Sequence, residues 1–357
     1  MNILKYSLII SMLALTYHTN TFAKTRIIGG KPADFPWMVA IVEANVPASD
    51  GVVCGGTLID PEWVLTAAHC TLGESEKSID VFVGNRDLNS KQGTRISIAE
   101  MIVHPEYDKD PNAPIADIAL LRLKTPYHEQ EIIHITSSYT DLDKPGQMGV
   151  IAGWGATNPE LPYISFSDVL LKTSVPIVSN DVCNQSYEGD VDGRMLCAGY
   201  EKGEIDACVG DSGGPIVIWN DSDWEQVGIV SFGEGCAQAN YYGVYTRVAS
   251  FEDFIAEHVC QNTPMPSQPT IQANVTGNNV HINWDAVENA DGYQLYYTSY
   301  VPTIEDIQFD RIHSVYVGKQ TQFNAIVEKG DAYYVSVRAY QGNCWSVYSN
   351  IEMIRVE

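Results

Sequence analysis

Between residues 37 and 250 the chain alternates short apolar runs with polar, turn-forming positions. The runs are rich in Val, Ile, Leu and Tyr, and Gly, Pro, Asn and Asp separate them. Clear examples are Val39–Val42, Ile79–Val83, Val150–Trp154 and Gln226–Phe232. Runs of this length between turn residues are typical of β-strands. The pattern therefore predicts an all-β protein built from many short strands.

The pattern changes after residue 250. Phe251, Phe254, Ile255 and Val259 follow helical spacing, which predicts a short helix. Residues 262–269 then contain three prolines in eight positions, as expected of an extended linker. The helix should therefore close a first domain that ends near residue 261.

Beyond the linker, strand periodicity returns. Val280–Trp284, Tyr293–Tyr297 and Tyr333–Ala339 alternate apolar and polar side chains, which is the pattern of half-buried strands. A chain of 357 residues is long enough for about two domains. We therefore expect a second β-domain over residues 270–357.

The first 23 residues have the layout of a secretory signal. Lys5 precedes an apolar run from Tyr6 to Tyr17, and small residues lead up to Ala23. A membrane anchor is the alternative, but the run is shorter than the ~20 residues a spanning helix needs. Export makes disulfides a better explanation than metal sites for the eight cysteines, none of which forms a Cys-x-x-Cys pair.

The charge balance limits the partners of the chain. Twenty-one basic residues against 45 acidic ones give a net charge of −24. Nucleic acid is not an expected partner, since phosphate binding requires a basic surface. The acidic surface could attract cationic substrates or could serve solubility alone.

Three segments carry residues suited to nucleophilic catalysis. Gly210-Asp211-Ser212-Gly213-Gly214-Pro215 places a serine between glycines that allow a tight turn with exposed amides. Upstream lie Thr66-Ala67-Ala68-His69-Cys70 and Asp117-Ile118-Ala119-Leu120-Leu121. His69 can act as the base for Ser212, and Asp117 can hold the imidazole in the required tautomer. The candidate triad is therefore His69, Asp117 and Ser212.

On these motifs, residues 27–260 resemble the trypsin-like serine proteases of the chymotrypsin fold. The resemblance implies two β-barrels, a short C-terminal helix and endopeptidase activity. Gly-x-Ser-x-Gly also occurs in α/β-hydrolases, where Asp and His follow the serine, as Asp253 and His258 do here. The lack of a βαβ rhythm argues against that class. A catalytically silent binding protein of the trypsin-like fold is a further alternative.

The resemblance also assigns roles around Ser212. The amides of Gly210 and Ser212 would form the oxyanion hole, and Ser231 would support Asp117. Asp206 matches the residue at the base of the specificity pocket, and Ser231, Phe232, Gly233 and Gly243 match its walls. This implies cleavage after Arg or Lys. Ala207 lacks the hydroxyl with which many trypsins help to bind lysine, so Arg should be preferred.

Activation is implied by the start of the mature sequence. Residues 24–26 would be a propeptide, and Arg26 precedes Ile27-Ile28-Gly29-Gly30, which resembles the mature amino terminus of the family. Cleavage after Arg26 would free the Ile27 ammonium to pair with Asp211. An unpaired buried carboxylate is unfavourable by several kcal/mol, so the zymogen should be poorly ordered.

Three disulfides follow from the resemblance: Cys54–Cys70, Cys183–Cys197 and Cys208–Cys236. Cys260 and Cys344 remain. They form either an interdomain disulfide, which is our hypothesis, or two buried thiols.

Residues 270–357 resemble a fibronectin type III β-sandwich through the Trp284 strand, the Tyr333–Ala339 strand and Ser349-Asn350. This domain could tether the enzyme, present substrates or act as an inert spacer. The sequence as a whole predicts a secreted monomer, with cell-surface or periplasmic locations as alternatives. Its expected partners are protein substrates and protein inhibitors, without a membrane span in the mature form. It implies no cofactor and no metal.

Overall fold

The computed structural model describes residues 30–108, 114–137, 140–158, 165–220, 223–261, 265–300 and 312–356. The predicted signal peptide, the propeptide with Arg26, and Ile27 lie outside the described residues. Residues 262–264 of the predicted linker do so as well. The described part is dominated by antiparallel β-structure, so the prediction of an all-β protein is confirmed.

Six strands of the first half form a closed barrel, in the order β2-β3-β4-β7-β6-β5. These strands are β2 (Met38–Glu43), β3 (Val52–Asp60), β4 (Trp63–Thr66), β5 (Ile79–Val83), β6 (Thr94–Val103) and β7 (Ala119–Leu123). The barrel closes because each strand turns apolar side chains inward, and Ile41, Leu58 and Leu120 are fully buried. We call it barrel one.

Six further strands pair in a ring, β9-β12-β13-β16-β15-β14, which we call barrel two. They are β9 (Met148–Gly153), β12 (Leu171–Val178), β13 (Met195–Ala198), β14 (Pro215–Trp219), β15 (Trp224–Phe232) and β16 (Gly243–Arg247). Its core includes the fully buried Leu196, Ile216 and Tyr245. Two short strands add to its edges: β1 (Lys31–Pro32) on β12 and β8 (His134–Ile135), parallel to β15. A small hairpin, β10 (Ala156–Asn158) and β11 (Ser165–Phe166), lies beside it.

Helices are short and peripheral. A 3₁₀ helix, Val248–Phe251, leads into α2, Glu252–Val259, where the sequence predicted a helix. The sequence did not predict the single turn α1, Asn180–Cys183, which the Ser179 hydroxyl caps by accepting from the Val182 amide. Among the described residues helices do not alternate with strands, so the α/β-hydrolase alternative is wrong.

Strands beyond residue 270 form two further sheets around one core. The three-stranded sheet contains β17 (Ile271–Thr276), β18 (Asn279–Trp284) and β21 (Gln322–Ile326). The five-stranded sheet contains β19 (Gly292–Ser299), β20 (His313–Gly318), β22 (Ala332–Gln341), β23 (Cys344–Trp345) and β24 (Glu352–Arg355). Trp284 and Leu295, one from each sheet, share the buried core. The two sheets thus form a unit of their own.

Within the described residues, no helix is long and apolar enough to cross a membrane.

Candidate active site

His69 and Asp117 meet at one edge of barrel one. His69 lies in a 3₁₀ turn, Ala68–Thr71, and Asp117 lies two residues before the start of β7. The Asp117 carboxylate accepts from the His69 amide through Oδ1 (2.9 Å) and lies 2.8 Å from Nδ1 through Oδ2. When Nδ1 carries the proton, Nε2 of the neutral ring is left as an acceptor. The pair is therefore arranged as a base with a fixed tautomer.

Asp117 is itself held by barrel two. It is 1% exposed, and the Ser231 hydroxyl donates to its Oδ2 (2.5 Å). The Thr246 hydroxyl donates to its backbone carbonyl (2.7 Å). The sequence identified Ser231 for this support but missed Thr246, because a threonine in a strand carries no distinguishing local signal. Both contacts join the two barrels at this point.

The Ser212 loop depends on two glycines in the left-handed region. Gly210 has a φ of +91° and Gly213 has a φ of +76°, which only glycine adopts readily. A β-carbon on Gly213 would also lie 2.3 Å from the Thr66 hydroxyl. The two glycines therefore allow the tight turn on which Asp211 and Ser212 stand, close against barrel one.

Several contacts bring the Ser212 loop next to His69. The Gly55 amide of β3 donates to the Ser212 carbonyl (2.8 Å). The neighbouring Cys54 is disulfide-bonded to Cys70, which follows His69. The three candidate triad residues thus come from both barrels and converge where the barrels meet.

Asp211 points away from solvent into barrel two. Its carboxylate accepts from the Gly155 amide (2.8 Å) and from the Cys208 amide (3.0 Å). Burial raises its pKa to about 6, and the nearby Asp206 adds to the shift. The site thus suits a cationic partner for Asp211, and the predicted partner, the Ile27 ammonium, lies outside the described residues.

A cavity of about 200 Å³ opens beside Ser212. Every predicted pocket residue lines it: Asp206, Ala207, Ser231, Phe232, Gly233 and Gly243. Asp206 is 8% exposed and accepts from the amides of Ala207 (2.8 Å) and Ala237 (3.2 Å). Burial raises the pKa of Asp206 to about 6. Within the described residues Asp206 has no ion-pair partner, so the cavity presents an uncompensated carboxyl.

Gly243 keeps this cavity open. A β-carbon there would lie 2.9 Å from the Asp206 carboxylate. At Gly233 a β-carbon would have only ordinary contacts, the nearest 3.8 Å away at the Tyr187 hydroxyl. A side chain at either position would take up space that a substrate side chain could otherwise fill.

Two tyrosines around the cavity were not identified from the sequence. Tyr245 lines it and leaves its buried hydroxyl without a hydrogen-bond partner among the described residues. Its two-residue offset from Gly243 in β16 places both on one face, a signal that could have found it. Tyr187 donates to the Tyr242 carbonyl (2.7 Å) and packs edge-on against Phe232. Tyr187 thus supports the wall of the cavity from outside.

The structure contains four disulfides, at the positions named above: Cys54–Cys70, Cys183–Cys197, Cys208–Cys236 and Cys260–Cys344. Cys208–Cys236 lines the cavity. Cys260–Cys344 joins the end of α2 to β23 of the second unit, with 5.6 Å between the Cα atoms. Within the described residues, Cys54, His69 and Cys70 are near enough to share a metal ion, but the disulfide consumes both thiols.

The two barrels, with a His–Asp pair on one and a serine loop on the other, define a serine hydrolase. Comparison with known proteins identifies the family. The family model described as "Trypsin" matches residues 27–255. "Trypsin" from Saccharopolyspora erythraea is 37% identical over 237 residues, which cover 65% of this chain and 98% of that protein. "Transmembrane protease serine 5" from Homo sapiens is 37% identical over 243 residues, covering 65% of this chain and 51% of its own length.

The chain therefore belongs to the trypsin family, and its two barrels form a serine endopeptidase domain. It spans only about half the length of the human relative.

Proposed function

We propose that the protein is a secreted endopeptidase that cleaves peptide bonds after Arg, and less readily after Lys. The observation that carries this proposal is Asp206, a buried carboxyl at a cavity beside Ser212, whose partners in the described part of the chain are backbone amides alone. A buried carboxylate without a counter-ion is unfavourable, and a guanidinium or ammonium entering the cavity would supply one. Arg also matches a carboxylate in a two-pronged geometry that Lys lacks.

The proposed reaction uses the candidate triad of His69, Asp117 and Ser212, and the His69–Asp117 contact supports it. Ser212 Oγ attacks the carbonyl carbon while its proton passes to Nε2 of His69, and Asp117 stabilises the resulting imidazolium. The amides of Gly210 and Ser212 are the proposed donors to the oxyanion. Collapse breaks the C–N bond, and His69 returns the proton to the leaving amine. Water then hydrolyses the acyl-enzyme with His69 again as the base.

A pair of substrates tests the role of charge. Two otherwise identical peptide amides would carry Arg or citrulline before the scissile bond, since citrulline keeps the shape of Arg but has no charge. We expect kcat/KM to be about 10²- to 10³-fold higher for Arg, the range that corresponds to leaving a buried charge unpaired. Equal values would contradict recognition by Asp206. We would then conclude that the enzyme does not select for a positive charge before the scissile bond.

Activation after Arg26 is a separate proposal, supported by the environment of Asp211. This carboxyl is buried with two backbone donors and has a raised pKa, as expected of a group that awaits a cation. The Ile27 ammonium released by cleavage would supply the cation and order the serine loop. An Arg26→Gln precursor should stay inactive after trypsin treatment, whereas the wild-type precursor should gain activity together with an Ile27 amino terminus. An active Arg26→Gln precursor would refute zymogen control.

For residues 270–357 we propose a fibronectin type III-like domain. The support is the pair of sheets with three and five strands around a common core that contains Trp284 packed edge-on against Tyr293. Secretion is supported by the four disulfides, which persist in oxidising compartments. Whether the domain is a spacer or acts on the enzyme depends on its contacts with the barrels.

A further inference from the structure

Asn343 of the second unit inserts its side chain between the main chains of the protease domain. It stands in the two-residue turn between β22 and β23 and is 5% exposed. Its Oδ1 accepts from the Ile135 amide (2.8 Å), and its Nδ2 donates to the carbonyls of Ile59 (2.7 Å) and Ile133 (2.9 Å). One side chain thus satisfies three backbone groups of another domain.

These three backbone groups lie where the segment that connects barrel one to barrel two passes β3. Ile59 lies in β3 of barrel one, and Ile133 and Ile135 belong to the connection between the barrels. The Ile133 amide also donates to the Leu58 carbonyl (3.0 Å), so the connection runs beside β3. The side-chain amide of Asn343 hydrogen-bonds to β3 and to the connection at the same time, and so adds to the contact between them.

The same strand β3 also contacts the Ser212 loop. Four residues before Ile59, the Gly55 amide donates to the Ser212 carbonyl, a separation of about 13 Å along an extended strand. Between these points the Thr57 hydroxyl donates to Gln226 of β15 (2.7 Å). This part of β3 therefore contacts barrel two at Gly55 and at Thr57.

The other side of the Asn343 contact leads to Asp117. The strand β8, which contains Ile135, pairs in parallel with β15 at Gln226. Further along β15, Ser231 donates to the Asp117 carboxylate. Asn343 therefore links β3, which contacts the serine loop, to β8, and the neighbour of β8, β15, contacts the Asp117 carboxylate.

The position of Asn343 is fixed by its surroundings. The adjacent Cys344 is disulfide-bonded to Cys260 at the end of α2. Gly342 precedes it in the left-handed region, with a φ of +55°, and its amide donates to Asp291. Arg338 forms a largely buried ion pair with Glu252 of α2 (3.3 Å). The side chain is thus held in place before any substrate binds.

We propose that Asn343 is a positioning residue for peptide hydrolysis, through which the second domain sets the alignment of the two barrels. His69 and Asp117 come from barrel one and Ser212 from barrel two, so the proton transfer depends on this alignment. The cavity at Asp206 is built from residues 206–245 alone, all of barrel two and its loops. Loss of Asn343 should therefore affect the chemical step and spare binding in the cavity.

The test compares Asn343→Ala with Asn350→Ala in the full-length protein. Asn350 makes the same kind of contacts, an accepted hydrogen bond from the Ile271 amide (2.9 Å) and a donated one to its carbonyl (3.0 Å), but within the second unit. For each variant, active sites are counted by burst titration with an acylating ester. kcat and KM are then measured per active site, together with the inhibition constant of benzamidine, well below the unfolding temperature.

We expect Asn343→Ala to lower kcat per active site about tenfold, since small misplacements of reacting groups have effects of this size or larger. The benzamidine constant should stay within about twofold, and Asn350→Ala should match the wild type in both. Should Asn343→Ala yield no active sites, Asn343→Ser is measured in the same way. An unchanged kcat per active site in an Asn343 variant would show that the residue only stabilises the fold.

The benzamidine measurement rests on the proposed function, because it assumes that the cavity takes a cation. A failure of the proposed Arg selectivity can be told apart from a failure of the Asn343 proposal. If the wild type hydrolyses peptides but does not bind benzamidine, Arg selectivity is refuted, and the kcat comparison still decides the role of Asn343 on whichever peptide the wild type cleaves.

Discussion

Two buried aspartates in this protein lie in opposite surroundings. Asp117 accepts from the His69 amide, faces His69 Nδ1 and accepts from the Ser231 hydroxyl. Among the described residues, Asp206 accepts from only two backbone amides, and burial raises its pKa to about 6. A carboxylate whose oxygens are all engaged by the protein is suited to orienting a neighbour. One that lacks a counter-charge is suited to binding a ligand.

Under the proposed function, Asp117 serves catalysis and Asp206 serves selectivity. Changes at Asp117 should affect every substrate, whereas changes at Asp206 should affect only cationic ones.

Replacing Asp117 with Asn should lower kcat about 10⁴-fold for all substrates, because the amide favours the wrong imidazole tautomer. Steady-state kinetics with Arg, Lys and Phe peptide amides would measure it, with Ser212→Ala as the reference for background hydrolysis. A loss confined to Arg and Lys substrates would contradict the division of roles between the two aspartates.

Replacing Asp206 with Asn should lower kcat/KM for Arg amides by about 10²- to 10³-fold and leave a Phe amide unaffected. The carboxylate is the source of the attraction, and Asn keeps nearly the same volume. Kinetics on the paired substrates would measure the ratio. A parallel loss on the Phe amide would show that Asp206 supports the fold of the serine loop instead.

Glu225, another buried carboxyl, extends the comparison to the stability of the fold. It is fully buried at a cavity between β15 and the second unit, where His134 and Tyr316 also lie, and Asn220 donates to it. Burial raises its pKa from 4.5 to about 7, while the pKa of His134 is lowered by burial. The folded state thus keeps the Glu225 proton at pH values where the unfolded state has lost it.

The stabilisation from this proton is complete below about pH 4.5 and is lost as the pH rises through about 7. The loss corresponds to about 3 kcal/mol in the free energy of unfolding. The free energy of unfolding, measured with urea at several pH values, should therefore change less with pH in Glu225→Gln than in the wild type. The lowered pKa of His134 makes stability rise with pH, which is the opposite effect. Since both proteins contain His134, the difference between their unfolding free energies reports on Glu225. Parallel pH curves for both would contradict the assignment.

Benzamidine binding should weaken below pH 6. The amidinium needs a charged Asp206, whose pKa is about 6, so affinity should fall up to tenfold per pH unit below that value. Inhibition constants measured between pH 5 and 8 would show it. The Asp206→Asn variant keeps Asp211, which has a similar pKa, so a persistent pH dependence in that variant would assign the effect to Asp211.

The smallest effect concerns Ala207. Ala207→Ser should raise kcat/KM for Lys relative to Arg about fivefold, the equivalent of one hydrogen bond of about 1 kcal/mol. The hydroxyl would lie beside Asp206 in the cavity and could accept from an ammonium. An unchanged Lys-to-Arg ratio would show that position 207 does not reach the substrate.

Much of the fold and the site could be predicted because local sequence carried it. Strand periodicity predicted β5 with its observed bounds, and helical spacing predicted α2 to within one residue. The glycines around Ser212 mark a turn that other residues cannot adopt readily. His69, Asp117 and Ser212 stood out because their types and order fit one chemistry.

The rest depends on contacts between distant segments. Asn343 lies more than 200 positions from the backbone groups that it binds, and an asparagine in a turn is ordinarily explained by the turn itself. A carboxylate is ordinarily expected to face solvent, yet Glu225 is fully buried near the start of β15. Neither environment leaves a local trace, so only the packed domains reveal them.

The most direct test is hydrolysis of matched Arg, Lys and Phe peptide amides by the purified full-length protein before and after light trypsin treatment, with Ser212→Ala alongside. We predict Arg-selective turnover that appears with the Ile27 amino terminus and is absent in the variant. No turnover despite a confirmed Ile27 terminus, or equal turnover of the Phe amide, would contradict it.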